Sequence, residues 1–192
     1  FNQERRWVVH NGHCVLPYLH AGGNATMRLL DDSPYDLLLT DIPRDDPQMF
    51  EDDLTLLTHC SASALDERYL SDLIGNWRGP ISLAVSLQGT MDAVYVKGKI
   101  SRALGLLTRR KDADRLTVHV LFPKIEQRTC EESMGELRKH SKSGVFYASY
   151  PINTVRNVAR LFSSTRYIAF ADADYLFSAG FYEKMLELLR KN

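Results

Sequence analysis

The chain has few cysteines, no net charge and no long apolar run, and each shortage removes a class of protein. Three cysteines, Cys14, Cys60 and Cys130, lie far apart with no C-x-x-C pairing. That spacing offers no zinc framework and leaves room for one disulfide or none. No stretch of 18 apolar residues is present, so the sequence predicts no transmembrane helix. An apolar signal segment is also missing, and the chain begins with Phe1 rather than Met. It reads as a processed or excised piece, with any targeting signal upstream. Lys plus Arg and Asp plus Glu both number 24, so no bulk positive field invites nucleic acid or an anionic membrane. Charge is uneven only locally: nine acidic residues between Asp31 and Asp53 face Arg44 alone, and Arg109-Arg110-Lys111 is basic. Both stretches read as solvated surface. Internal repeats and low-complexity segments are absent.

What remains is a 192-residue chain with 44% hydrophobic and 25% charged residues, long enough to bury a sizeable core. Residues 1–50 read as an N-terminal extension and linker packed on the main sheet. Trp7-Val8-Val9 and Leu37-Leu38-Leu39 are short strand candidates, separated by turn signals at Gly12, Pro17, Gly22-Gly23 and Ser33-Pro34. Asn24-Ala25-Thr26 fits an N-glycosylation acceptor, meaningful only in a secretory protein. Ile42 to Pro47 reads as the linker into a main domain over residues 51–192.

From Leu54 the pattern is regular. Leu54–Thr58 predicts a strand, and His59–Ser63 a polar turn. Leu70, Leu73, Ile74 and Trp77 form one helical face that Gly79-Pro80 stops. Ile81–Val85 is a second strand, and a helix capped by Thr90 or Asp92 follows, with Val96, Ile100, Ala103, Leu104 and Leu107 on its apolar face. Leu116–Phe122 is a third strand, with His119 a packed or edge histidine. A short helix around Glu131–His140, a strand over Gly144–Tyr150 and a helix after Pro151 come next. That last helix buries Val155, Val158, Ala159 and Phe162. The strand beginning at Tyr167 and a final helix with Phe181, Met185, Leu188 and Leu189 at helical spacing complete the chain. Strands alternating with helices predict an α/β fold, with a mainly parallel sheet covered on both faces.

The chemistry concentrates where the run Tyr167–Ala171 ends in Asp172-Ala173-Asp174. Ligands bind outside the carboxyl ends of parallel strands, and extended residues at i and i+2 point the same way. Asp172 and Asp174 can thus offer two hard oxygens to one Mn²⁺ or Mg²⁺, unless they only build an acidic turn. The His59–Ser63 turn shares that sheet edge, suiting a nucleotide diphosphate whose charge a metal neutralises. Asn153, Arg156, Asn157 and Arg160 stand off the apolar face of the preceding helix at spacings of three and four. Arg156 reaches toward the same anion, if that face is not merely solvated.

Thr58-His59-Cys60-Ser61, Trp77–Val85, Tyr150-Pro151-Ile152-Asn153-Thr154-Val155-Arg156-Asn157-Val158-Ala159-Arg160 and Tyr167–Asp174 occur in that order. Over residues 54–192 this succession resembles glycosyltransferase family 49, the LARGE-type glucuronyltransferase domain of the GT-A fold. The resemblance implies a GT-A, Rossmann-like sheet, incomplete at the C-terminus, that holds the nucleotide-sugar half of the domain. It implies Mn²⁺ (or Mg²⁺) on Asp172 and Asp174, and donor contacts from Thr58, His59, Cys60, Ser61, Arg156, Asn157 and Asp172. The implied reaction is transfer of a sugar, glucuronic acid by family, from a UDP-sugar to a glycan or glycoprotein acceptor with inversion. The implied place is the Golgi lumen, within a type II membrane protein. In the family the acceptor site, catalytic base and a further metal ligand follow the Asp-x-Asp, whereas 18 residues follow Asp174 here. No catalytic base is therefore nominated. Two other readings stand beside this one: a non-catalytic GT-A-like structural or binding module, and a haloacid-dehalogenase-type phosphatase. Against the phosphatase, its motif belongs on the first strand with Thr or Val where Leu176 stands.

Overall fold

Thr58 was expected to end the first long strand, but the run Leu54–Ser61 is all strand and its residues are buried up to the last. The computed structural model describes residues 8–20, 28–29, 37–38, 52–65, 67–87, 115–141, 150–163 and 165–191. In chain order these hold β1 (Val8–His10), β2 (His13–His20), β3 (Arg28–Leu29), β4 (Leu37–Leu38), β5 (Leu54–Ser61), α1 (Glu67–Asn76), β6 (Ile81–Ser86), β7 (Leu116–Pro123), α2 (Cys130–Ser141), α3 (Ile152–Leu161), β8 (Tyr167–Phe170) and α4 (Phe181–Arg190). The helix expected after Thr90 or Asp92 lies outside the described residues, as do Asn24-Ala25-Thr26, the 42–47 linker and all of the strand expected over 144–150 but Tyr150, which is not in a strand.

Six strands form one sheet in the order β1-β2-β7-β6-β5-β8, and β3 and β4 form a separate pair. The fold is α/β, but the sheet is mixed rather than purely parallel. β7, β6, β5 and β8 run parallel, while β2 lies antiparallel on β7 and β1 antiparallel on β2. Part of the segment read as an extension thus joins the sheet itself. The reason is local. Asn11 and Gly12 both have positive φ, 45° and 70°, the two-residue turn that matches the twist of an antiparallel hairpin. Pro17, read from sequence as a turn signal, lies inside β2, where the register shifts between Leu16 and Leu19. Proline has no N–H for the ladder, so it sits where the ladder is irregular.

Alternation along β5 divides the core in two. Leu54, Leu56 and Cys60 pack with Leu70, Leu73, Ile74 and Trp77 beside α1, and with Leu186 of α4. Leu57 points the other way, toward Val155, Val158 and Ala159 of α3. Burial of Val155 and Val158 contributes about 1.5–3 kcal/mol each, so α3 is held by its apolar face more than by its ends. The last helix buries Leu186 rather than the expected Leu188, which is 56% exposed. Phe181, Met185 and Leu189 flank that core as the spacing predicts.

Two devices tie remote segments together. Thr129 and Glu132 exchange hydrogen bonds at the start of α2, Thr129 N donating to Glu132 Oε2 at 2.7 Å and Glu132 N to Thr129 Oγ1 at 3.2 Å. This capping box fixes the end of α2 that carries Cys130, whose sulfur is bonded to Cys14 of β2. The second is aromatic: Trp77, fully buried, meets Phe177 at 5.0 Å and Tyr182 at 5.3 Å between ring centroids. Gly79 lets this cluster close, because a Cβ there would stand 2.8 Å from Leu54 O and against the Tyr182 ring. His119 is a packed histidine, fully buried, with Nε2 2.9 Å from Ser82 Oγ.

Two stability measurements check this account. The disulfide closes a loop of sequence separation 116, so Cys14→Ala with Cys130→Ala should lower the urea-unfolding free energy by about 2–5 kcal/mol. Reductant should do the same to the wild type and nothing to the variant. Gly79→Ala should destabilise by about 1–3 kcal/mol through overpacking, and trimming Tyr182 to Ala in the same chain should recover part of that loss.

Candidate functional site

Register brings the site together. β8 pairs with β5 so that Leu57 lies beside Phe170, and Ala171 N donates to Leu57 O at 3.1 Å. The next residue, Asp172, therefore emerges alongside His59. The strand ends there. Tyr175 N donates to Asp172 O at 3.1 Å, which closes a turn over 172–175. Asp172 and Asp174 thus stand on a turn, not on extended chain, and the i, i+2 argument from sequence does not apply to them. Asp174 is exposed.

His59 has an odd number on β5 and points, like Leu57, to the α3 face. Arg156 comes down from α3 on that side. Its Nε donates to His59 Nε2 at 3.2 Å and its Nη2 to Asp172 Oδ1 at 2.8 Å. His59 Nε2 is also 3.3 Å from Asp172 Oδ1. On the far side of the imidazole, Nδ1 lies 2.7 Å from the Tyr150 hydroxyl. Three side chains, one each from β5, α3 and the β8 exit, together with Tyr150 before Pro151, thus form one connected chain.

Their electrostatics follow from burial and from Arg156. Burial holds the His59 pKa below the ordinary imidazole value, with Arg156 acting in the same direction and Asp172 opposing. The hydrogen bond from Arg156 holds the Asp172 carboxyl below the usual carboxylate range. Burial pushes the Tyr150 phenol up, so at neutral pH it is a hydroxyl. At neutral pH the site therefore holds a guanidinium, a carboxylate, a neutral imidazole and a phenol.

A cavity of about 500 Å³ opens beside Arg156 and Asp172, lined also by Phe170, Ala171, Tyr175, Leu176 and Phe177. That volume lies in the range of small-ligand pockets, roughly 300–1,000 Å³, which are mostly apolar with a few fixed polar groups. Among the described residues, no group of three or more His, Cys, Asp and Glu is arranged to hold a metal. Asp172 lines the cavity, and Asp174 lies two residues on, exposed.

The other sequence candidates fall elsewhere. Thr58 and Cys60 point to the opposite face of β5, next to Tyr69 of α1, and are 1% and 4% exposed. Burial pushes the Cys60 thiol up to about 12. The turn expected at His59–Ser63 is strand through Ser61, since β6 pairs with β5 as far as Ser61 and Ser86. That pairing imposes alternation on residues that a turn would have pointed one way. Ser61, at the strand end, contacts Ser63 Oγ at 2.8 Å and accepts from Ala64 N. Asn157 is exposed on α3, and the connected chain of four does not include it. Sequence reasoning missed Tyr150 as a site residue. Its position directly before Pro151 was the one signal, and its partner His59 lies 91 residues away.

With this geometry in place, the chain can be set beside known proteins. The beta-1,4-glucuronyltransferase 1 of Bos taurus is 28% identical over 161 residues, covering 73% of this chain and 37% of that protein. The Homo sapiens protein of the same name is 27% identical over 161 residues, with the same coverage. That of Danio rerio is 28% identical over 158 residues, covering 72% and 36%. The chain therefore spans a little more than a third of the length of the curated relatives it matches. A family model described as "Glycosyl-transferase for dystroglycan" matches residues 53–192, which include β5, α3 and the Asp172–Asp174 turn. On a match of that extent, the chain belongs to glycosyltransferase family 49.

Proposed function

We propose that residues 51–192 are the nucleotide-sugar-binding part of a GT-A glycosyltransferase domain. In this reading the domain transfers a sugar from UDP to a hydroxyl of a glycan or glycoprotein with inversion. The observation that carries the proposal is the Arg156–Asp172 pair at the mouth of the cavity. It stands at the carboxyl end of parallel strands and is followed at once by Asp174. Glucuronic acid is assigned as the sugar because the relatives are named for glucuronyl transfer.

The donor set fits a hard divalent ion. Mg²⁺ and Mn²⁺ are commonly held by one or two carboxylates, with substrate phosphates and water completing the shell. Asp172 and Asp174 supply that number, and the contacts that Arg156 and His59 make with Asp172 both fall on Oδ1. When bound, such an ion neutralises the diphosphate and eases departure of UDP. Arg156 adds a planar cation suited to phosphate oxygens. Its ion pair with Asp172 leaves the two side chains 38% and 46% exposed. Pairs of this kind contribute on the order of 0.2–1 kcal/mol, so a diphosphate can recruit the guanidinium at small cost. Phe170, Leu176 and Phe177 give the cavity a largely apolar wall.

The Cys14–Cys130 disulfide supports a secretory setting, because such bonds persist in oxidising compartments. We place the chain in the Golgi lumen as part of a type II membrane protein. Among the described residues no helix is long and apolar enough to cross a membrane.

Thermal unfolding with UDP and Mn²⁺ tests the donor site. At UDP near 100 times its Kd, stabilisation should approach 2.7 kcal/mol and should require the metal. Asp172→Ala and Asp174→Ala should abolish it. Arg156→Ala should weaken UDP binding roughly 10- to 100-fold, the worth of a charged hydrogen bond. Failure of the wild type to respond to UDP with Mn²⁺ sinks the proposal.

A further inference from the structure

We propose that Ser82 and His119 are positioning residues that fix α3 lengthwise on the sheet and so hold Arg156 at the cavity mouth. The functional sense of this rests on the donor-site reading above, whereas the geometric claim stands without it.

The starting point is a pair of polar residues where apolar ones would pack. Ser82 of β6 and His119 of β7 are 2% and 0% exposed. Ser82 lies beside Thr117 and Ala84 beside His119, so the two side chains are diagonal neighbours on the face that α3 covers. Burying them costs free energy unless their polar atoms are bonded. They are bonded, and the last acceptor is the backbone of α3. His119 Nε2 lies 2.9 Å from Ser82 Oγ, and Ser82 Oγ donates to Ala159 O at 2.8 Å. A carbonyl can only accept, so the one hydroxyl hydrogen of Ser82 is committed to α3, and His119 donates to Ser82 in turn.

The end of α3 explains why that carbonyl takes an outside donor. In a continuing helix Ala159 O would accept from the backbone N–H four residues on. That residue, Ser163, donates to Arg160 O instead, at 3.2 Å, which leaves Ala159 O to Ser82. The ring of Phe162, the residue after α3, rests against His119 with centroids 5.2 Å apart. At the other end, among the described residues, no side-chain hydrogen bond caps the helix at Pro151. The backbone of α3 is thus pinned near its C-terminal end, and the rest of its hold on the sheet is burial of Val155, Val158 and Ala159.

That burial is non-directional. A slide of α3 by one residue's rise, about 1.5 Å, would cost it little. Arg156 stands one helical turn before Ala159, and its Nη2 and Nε lie 2.8 Å from Asp172 Oδ1 and 3.2 Å from His59 Nε2. A planar fork cannot keep both bonds through such a slide. The Ser82 bond supplies the lengthwise constraint that the apolar face lacks.

The test uses the chain with ¹⁵N-labelled arginine, and UDP titration in Mn²⁺ by calorimetry. The Arg156 Nε–H signal is picked out by its loss in Arg156→Lys. Without ligand, Ser82→Ala should speed exchange of that hydrogen with water roughly 3- to 10-fold, the worth of one hydrogen bond. UDP binding should weaken by a similar factor. In the Arg156→Ala background, Ser82→Ala should cost no further UDP affinity. His119→Gln keeps an N–H donor where Nε2 stood, so it should hold the wild-type exchange rate, and His119→Leu should match Ser82→Ala. That second pair decides the matter where Ser82→Ala fails to fold. A lowered melting temperature with Arg156 exchange unchanged overturns the proposal, and so does an equal loss of UDP affinity in both backgrounds. A wild type indifferent to UDP overturns the donor-site reading instead, and the exchange rates still decide whether Ser82 and His119 hold Arg156.

Discussion

β5 hydrogen-bonds in parallel along both of its edges, to β6 as far as Ser61 and to β8 from Leu54 to Leu57. That double pairing has two consequences from which the site follows. It forces strict alternation on residues 54–61, so that His59 faces α3 while Thr58 and Cys60 face α1. It also sets how far β8 runs before the chain turns off, since Ala171 makes the last bond to Leu57. A register slip of two residues would preserve the buried faces and carry Asp172 about 6–7 Å along the strand. Arg156 would no longer reach it together with His59. The site is therefore as precise as the apolar pairing beneath it.

The cores on the two sides of the sheet contribute differently. On the α1 side the disulfide, the Trp77 cluster and the close approach at Gly79 bind distant segments covalently or by tight packing. Arg115, just before β7, adds to this by donating to the carbonyl of Ile74 in the last turn of α1 at 3.3 Å and to that of Gly79 beyond it at 3.4 Å. Such bonds satisfy acceptors that the helix leaves open. On the α3 side the core is small and apolar, with Ser82 Oγ donating to Ala159 O at 2.8 Å as its polar pin. The α3 side also carries the chain of His59, Arg156 and Asp172.

Much of this was legible in the residues. Helical spacing located α1, α3 and α4, and the apolar run ending at Asp172-Ala173-Asp174 marked the edge where the site forms. What escaped did so for physical reasons. Residues 8–20 read as an appendage because membership of a sheet is decided by partners a hundred residues away, here β7. His59–Ser63 read as a turn because its side chains are polar, yet pairing with β6 overrides that preference. Thr58 and Cys60 were grouped with His59 by adjacency, which is the wrong neighbour relation inside a strand. Tyr150 carried no signal beyond its place before Pro151, since its partner His59 lies 91 residues away.

The choice of arginine at position 156 follows from the same geometry. One side chain must give a hydrogen bond to a neutral imidazole and another to a carboxylate, in fixed directions and from one charge. A guanidinium does this with Nε and Nη2 in a single plane, whereas an ammonium is a point charge without a fixed fork. The carboxylate it holds keeps a second oxygen, and Asp174 stands two residues on. Before any ligand arrives, Arg156 balances the charge of Asp172 and keeps the guanidinium at the cavity mouth. On the donor-site proposal, a diphosphate would meet that cation already in place, which is what preorganisation requires.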